Sequence, residues 1–195
     1  KHVPLEKINR ITKKNHQGVV AFMSPIDFHN IEDVIPKLYE EGKTPFILVL
    51  DRITDVRNFG AIARTAECVG VHSILVPEKN SAAINADAVK TSAGALHKIP
   101  VCRTWNLKHN LQFLKDSGIQ LIACTEKTQK DMYEYNYNTP IAVIFGSEED
   151  GISTEILKMC DMKSKIPIQG QIASLNVSVA TGVILYEVLR QRRKN

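Results

Sequence analysis

The sequence predicts an α/β protein built on a mostly parallel sheet flanked by helices. Three observations carry this expectation. Short runs apolar on both faces recur along the chain, among them "FILVL" at 46–50 and "IAVIF" at 141–145, and strands covered on both faces belong to parallel sheets. Segments with apolar residues at helical spacing alternate with those runs, which marks the class. The length of 195 residues, with 44% apolar and 24% charged residues, suits one ordinary globular core.

Residues 1–16 are basic and weakly patterned, and read as a tail. Residues 19–23 form a short apolar run. Asn30 can cap a helix that places Ile31, Val34, Ile35 and Leu38 on one face, although Pro36 should bend or shorten it. Gly42 and Pro45 end it. Strands are expected at 46–50, 73–76, 119–124, 141–145 and 165–168. Helices are expected at 59–69, with Ile62, Ala63, Ala66 and Val69 inward, and at 85–95, 107–115, 153–159 and 176–193. Ser153 reads as the cap of the fourth of these. The chain shows no internal repeat and no low-complexity segment.

Composition removes several function classes. The formal charge of +4 is compatible with a polyanionic partner without requiring one. The apolar stretches at 177–189 and 46–50 are too short or too interrupted to span a bilayer. "KHVPLEKINRITKKNHQG" is polar and does not read as a secretory leader. Cys68, Cys102, Cys124 and Cys160 form no C-x-x-C pair, so reduced thiols in a cytoplasmic protein are expected. His2, His16, His29, His72, His97 and His109 have no metal-ligand spacing, so no metal is expected. The glycine patterns of a dinucleotide loop and of a P-loop are both missing.

Three segments carry chemistry. In "LVLDRITDVRNFGAIARTAECVG" a strand runs through a polar loop into a helix. Asn58 sits at an expected helix cap, Gly60 permits close approach, and Arg64 follows one turn later. An arginine there can fork onto a phosphate. Equally open is a plain cap with a surface ion pair between Arg64 and Glu67. In "IAVIFGSEEDGIS" a strand ends in Gly146, with Glu148 just beyond and Gly151 following; a turn that happens to hold acids explains it as well. In "IPIQGQIASLNVSVATG" Ser174, Leu175 and Asn176 precede a helix rich in small residues. A capped amphipathic helix would explain that too, though Ser174 and Asn176 exceed what a cap needs.

Together, in this order, the three motifs resemble those of the SpoU (TrmH-like) branch of the SPOUT RNA methyltransferases. Asn58, Gly60 and Arg64 match the first, Gly146, Glu148 and Gly151 the second, and Ser174, Leu175, Asn176 and Ala180 the third. The resemblance runs from about Thr44 to the C-terminus. "NHQGVVAF" and "KTSAGALHKIPVCRTWNL" are similar to the subgroup that methylates a guanosine 2'-hydroxyl in large-subunit rRNA. Three departures stand out. Val56 replaces the proline common before the asparagine. Asp150 lies in a variable acidic stretch. The N-terminal RNA-binding domain of many relatives has no counterpart here. Residues 1–43 are therefore expected to be a linker and N-terminal extension, and 44–195 the methyltransferase domain.

The resemblance implies an α/β fold with a C-terminal trefoil knot, one of the few exceptions to unknotted topology. It implies S-adenosylmethionine held in the knot loops, by Gly146, Ile166 and Leu175 above all, with Thr125, Glu126, Phe145, Ser147, Ile168 and Asn176. It implies transfer of a methyl group to a ribose 2'-hydroxyl of rRNA. The same reaction on tRNA, or a non-catalytic RNA-binding assembly factor, are the alternatives. Catalysis would fall to Arg64, Asn58, Glu148, Ser174 and Asn176. Arg64 would either take the hydroxyl proton or hold the phosphate beside it, and a guanidinium keeps its proton to above about pH 12, which makes the first role demanding. A homodimer is implied, with RNA shared between subunits and the helix after Asn176 at the interface. Basic residues near the two ends (Lys7, Arg10, Lys13, Lys14; Arg190, Arg192, Arg193, Lys194) would contact phosphates or simply be solvated.

Overall fold

The computed structural model describes residues 2–20 and 24–193. The apolar run expected at 19–23 lies largely outside the described residues, and its Val19 is exposed.

Seven strands form one parallel sheet in the order β1-β4-β3-β2-β6-β5-β7: Phe28–His29, Phe46–Asp51, Ser73–Pro77, Val101–Thr104, Gln120–Cys124, Ile141–Gly146 and Met162–Ser164, numbered β1 to β7 along the chain. The two central strands, β2 and β6, are buried at every residue. Their side chains alternate between two cores, as a pleated strand requires. Phe46, Leu48, Leu50, Val143 and Phe145 face one side; Ile47, Val49, Ala142 and Ile144 face the other.

Helices cover both faces. α3 (Val56–Cys68), α4 (Ala86–Thr91) and α7 (Val177–Arg192) pack on the first face. α2 (Ile31–Glu40), α5 (Leu107–Asp116) and α6 (Thr154–Met159) pack on the second. Asn30 caps α2 by accepting from the Glu32 amide, and Ile31, Ile35 and Leu38 are buried. The helix continues through Pro36 and ends at the left-handed Gly42.

Several expectations need correction. The basic N-terminal tail contains a helix, α1 (Leu5–Ile11), whose Ile8 is buried. The helix expected at 85–95 stops at Thr91, because Ala93 and Gly94 both turn left-handed, and a 3₁₀ turn at Ala95–His97 follows. β1 and β4 were not expected; the Arg103 guanidinium lies 3.7 Å over the Phe28 ring and ties the pair. The last strand is Met162–Ser164 rather than 165–168, because its partner β5 ends opposite Ser164. Ser153 precedes α6 without a side-chain cap bond; its amide instead donates to Asp51. Asn58 is not a cap: Asp55 is, accepting the Asn58 amide at 2.7 Å.

The basic C-terminal end is built into the fold rather than left free. Arg192 donates to the carbonyls of Thr44, Pro45, Tyr137 and Thr139 and lies over the Phe46 ring. Arg190 forks onto Glu187. Arg190 and Arg193 stay exposed, and Lys194 lies outside the described residues. Among the described residues no helix is long and apolar enough to cross a membrane, and no cluster of histidine, cysteine and acidic residues is placed to hold a metal. All four cysteines are free: Cys102 is buried and Cys68 exposed.

Candidate active site at the carboxyl edge of the sheet

The strand order changes direction between β2 and β6, with β3 and β4 on one side and β5 and β7 on the other. Ligands of open α/β sheets collect at such a point, beyond the carboxyl ends of the strands. Here Asp51 and Gly146 end the two central strands side by side.

A cavity of about 600 Å³ opens there. Its lining includes Thr125 and Glu126 after β5, Phe145 to Glu148 at the end of β6, Ile166 and Ile168 after β7, and Ser174 to Asn176 before α7. All nine residues expected to hold a cofactor therefore border one space. Ile166 and Ile168 are apolar because they wall this cavity, which is why their run read as a strand. The size and mixed lining are those of a small-molecule pocket. Gly146 has a specific reason to be glycine. A Cβ there would stand 2.0 Å from the Gly151 carbonyl carbon, so its own returning main chain occupies the space. Gly60 is explained similarly, by Thr91 and Ala88 of α4 rather than by a ligand.

Beside the cavity, three of the expected catalytic side chains form one hydrogen-bonded cluster. Asn58 donates to Glu148 Oε1 at 3.1 Å, and Asn176 donates to the same oxygen at 2.7 Å and to Asn58 Oδ1 at 3.1 Å. The Val177 amide adds a longer bond to that oxygen at 3.4 Å. The orientation of Asn176 follows from its second role. Its Oδ1 caps α7, accepting from the amides of Ser178 and Val179 and from the Ser178 hydroxyl, so its NH₂ must turn to Asn58 and Glu148. Glu148 sits at the amino end of the sixteen-residue helix α7.

Asn58 is available for this cluster because Asp55 takes over capping. Ser174 lies in the cavity wall, exposed, outside the cluster. Arg64 also stands outside it. The arginine is exposed on α3, and the ion pair with Glu67 that the sequence allowed does not form; Glu67 lies 3.8 Å from Lys98 instead.

Sequence reasoning missed two residues at this edge. Asp51 is only 4% exposed, and its Oδ2 accepts the Ser153 amide at 2.7 Å. Arg52 donates to Asp150 Oδ2 at 3.1 Å and to the Gly151 carbonyl at 3.0 Å. A charged pair closing an apolar strand was the available signal.

A parallel sheet whose switch point opens into a cavity walled by Glu148 and Asn176, both bonded to Asn58, defines an α/β protein with a small-molecule pocket at the carboxyl ends of its strands. The SpoU rRNA Methylase family profile matches residues 45–186. The chain is 35% identical, over 98% of its length and 77% of the other's, to YacO of Bacillus subtilis, named for the TrmH family of tRNA/rRNA methyltransferases. It is 38% identical, over 91% of its length and 72% of the other's, to the 23S rRNA (guanosine-2'-O-)-methyltransferase RlmB of Photorhabdus laumondii. Among solved structures, the SpoU methyltransferase AviRb of Streptomyces viridochromogenes in complex with AdoMet superposes with a TM-score of 0.73 at 28% identity. That match covers 78% of this chain and 63% of AviRb, so the chain spans less than two thirds of that enzyme. The chain belongs to the SpoU family, a class of S-adenosylmethionine-dependent RNA methyltransferases.

Proposed function

We propose that this protein methylates a ribose 2'-hydroxyl, that of a guanosine in large-subunit rRNA. The observation that carries the reading is the position of the Asn58–Glu148–Asn176 cluster. Glu148 and Asn176 border the cavity, and both bond Asn58, which belongs to the helix that displays Arg64 to solvent. One cluster thus joins a cofactor space to an exposed cationic face.

The lining suits S-adenosylmethionine. Phe145, Ile166, Ile168 and Leu175 offer apolar surface, while Glu126 and Glu148 offer carboxylates to its cationic groups. Gly146, Ile166 and Leu175 are assigned the largest share, with Thr125, Ser147 and Asn176 as polar anchors. When bound, the cofactor supplies an electrophilic methyl carbon. The chain's residues do the rest. Asn58, fixed by Glu148 and Asn176, orients the ribose at the mouth of the cavity, which lowers the entropic part of the barrier. Ser174 lines that mouth. Arg64, exposed and without an ion-pair partner among the described residues, binds the phosphate beside the hydroxyl. The phosphate oxygen or solvent then receives the hydroxyl proton.

The rRNA assignment is supported by the RlmB relative, whose guanosine chemistry is stated in its name. We further assign residues 44–195 as the catalytic domain, its C-terminal crossing as the family's trefoil knot, and the cytoplasm as its place of work. A homodimer is part of the same reading. The small residues of α7 are turned partly inward, with Thr181 buried and Gly182 facing Thr65. Val179 and Tyr186, one face apart by seven residues, remain about half exposed and offer apolar contact to a second copy.

Labelled-cofactor assays on defined rRNA and tRNA transcripts test the reading. Methyl transfer to rRNA, strongly reduced by Arg64→Ala, is the expected result. Transfer to tRNA alone would move the substrate, and cofactor binding without transfer to any transcript would favour an assembly factor. A monomer mass by light scattering at micromolar concentration would refute the dimer.

A further inference from the structure

We propose that Arg52, with Asp51 beside it, is a positioning residue for the cofactor loop: it holds residues 147–151 in their binding shape without touching the cofactor. The inference rests on the functional reading above and names how that site is kept formed.

Arg52 does not border the cavity, whereas Asp150 and Gly151, the two residues it grips, both do. Its backbone is left-handed, with φ of 62°, a conformation uncommon for a residue with a Cβ. That geometry aims the guanidinium back across the end of β6. Nη1 reaches Asp150 Oδ2 and Nη2 reaches the Gly151 carbonyl, while Nε lies 3.4 Å from Asp51 Oδ1. The other oxygen of Asp51 holds the Ser153 amide. The last residue of β2 and its successor therefore secure both Asp150–Gly151 and the start of α6.

The loop is restrained from inside as well. Gly146 packs directly on the main chain of Gly151 and Ile152, and Glu148 is bonded to Asn58 and Asn176. Within the loop, Gly151 donates to the Ser147 carbonyl, and the Asp150 amide to the Ser147 hydroxyl. On the outer side the described contacts come from Arg52. Removing it leaves the turn free to swing toward solvent and open the cavity wall, while the Asn58–Glu148–Asn176 cluster stays bonded.

Electrostatics alone predicts the opposite sign. Deleting a cation beside Asp150 makes the cavity more negative, which should tighten binding of S-adenosylmethionine, with its sulfonium, relative to neutral S-adenosylhomocysteine. Positioning predicts that both bind more weakly by a similar factor.

Calorimetric titration of wild type and Arg52→Ala with each molecule decides between them. We expect about tenfold weaker binding of both to Arg52→Ala, the size of one lost charge-assisted contact. In turnover, the cofactor KM should rise about tenfold with kcat within about twofold, as lost ground-state binding requires. Asp150→Ala should weaken binding by about threefold, and the double variant should bind no worse than Arg52→Ala alone, since the two share one contact. Arg52→Lys, which keeps the charge but not the fork, should recover part of the affinity. Unchanged binding by Arg52→Ala, tighter binding of S-adenosylmethionine alone, or a fall in kcat matched by a fall in the ligand-free melting temperature would each overturn the inference. If wild type binds neither molecule, the functional reading fails and this inference falls with it.

Discussion

Two arginines, one at the amino edge of the sheet and one on the helix α3, differ in how much of their bonding capacity is used. Arg192, at the amino edge, gives hydrogen bonds to four carbonyls of the segments leading into β2 and β6 and stacks on Phe46. Burial pushes its guanidinium down to about 10, so it remains charged at neutral pH. Arg64, on the helix that follows the carboxyl edge, is exposed with no hydrogen bond or ion pair to a described residue. A saturated cation holds the fold together, while an unsaturated one on an exposed helix face is available to a ligand. The same contrast separates the Asn58–Glu148–Asn176 cluster, where Glu148 uses mainly one carboxylate oxygen, from the Glu187 carboxylate, whose two oxygens meet Arg190 and Gln191.

Replacing the two arginines should have opposite consequences. Arg64→Ala should reduce methyl transfer by about 10²- to 10³-fold, the range for losing one preorganised charge contact, while the melting temperature stays within about 1 °C, as for a surface substitution. A large loss of stability instead would place Arg64 in the fold. Arg192→Met should do the reverse. Four carbonyls lose their donor, so we expect about 3 kcal/mol of destabilisation, or a drop of about 6–12 °C in Tm for a chain of this size, with activity below the transition largely retained. Asn58→Ala removes two bonds from the cluster; transfer should fall about tenfold with little change in cofactor affinity, a kcat effect readable in steady state.

The smallest effect is a pH dependence at the amino edge. Burial, and then repulsion from Arg192 and Lys43, pushes the His72 imidazole below its ordinary value of 6.5. The neutral ring is the form the fold uses, because Nδ1 accepts the Phe46 amide at 3.0 Å. Below the ordinary value the unfolded chain takes up a proton that the folded one resists. The stability contributed by His72 is therefore complete above pH 6.5, falls as pH drops toward the lowered folded value, and is flat beneath it. His72→Gln should flatten the change in Tm between about pH 7.5 and 5.5.

How far each element could be read from sequence depended on where its stability comes from. β2 and β6 were legible because every residue is buried, leaving an unbroken apolar run. α3 was legible through Ile62, Ala63, Ala66 and Val69, yet its start was displaced: Asp55 caps it, and Val56 and Arg57 are already helical. β1 and β4 were not legible, since β1 is two residues long and tied by a tertiary contact between Arg103 and Phe28, and the short "VCRT" carries a charged residue in a strand held mainly by β3. Ile166 and Ile168 misled because apolar residues wall a cavity as readily as they fill a sheet. The cavity-lining set came through the three motifs, whose coincidence no periodicity supplies. Arg52 stayed hidden because its partners lie 98 and 99 residues away.

Asn176 is at once the cap of α7 and a member of the cluster. The site and the first turn of the longest helix are consequently one cooperative unit. Amide exchange at Ser178 and Val179, whose hydrogens rest on Asn176 Oδ1, would report on the state of the Asn58–Glu148–Asn176 cluster. A ligand that locks Asn176 must slow exchange along the start of that helix, so engagement of the mouth of the cavity is readable from the backbone of a helix that packs on α3 and carries the exposed Val179 and Tyr186.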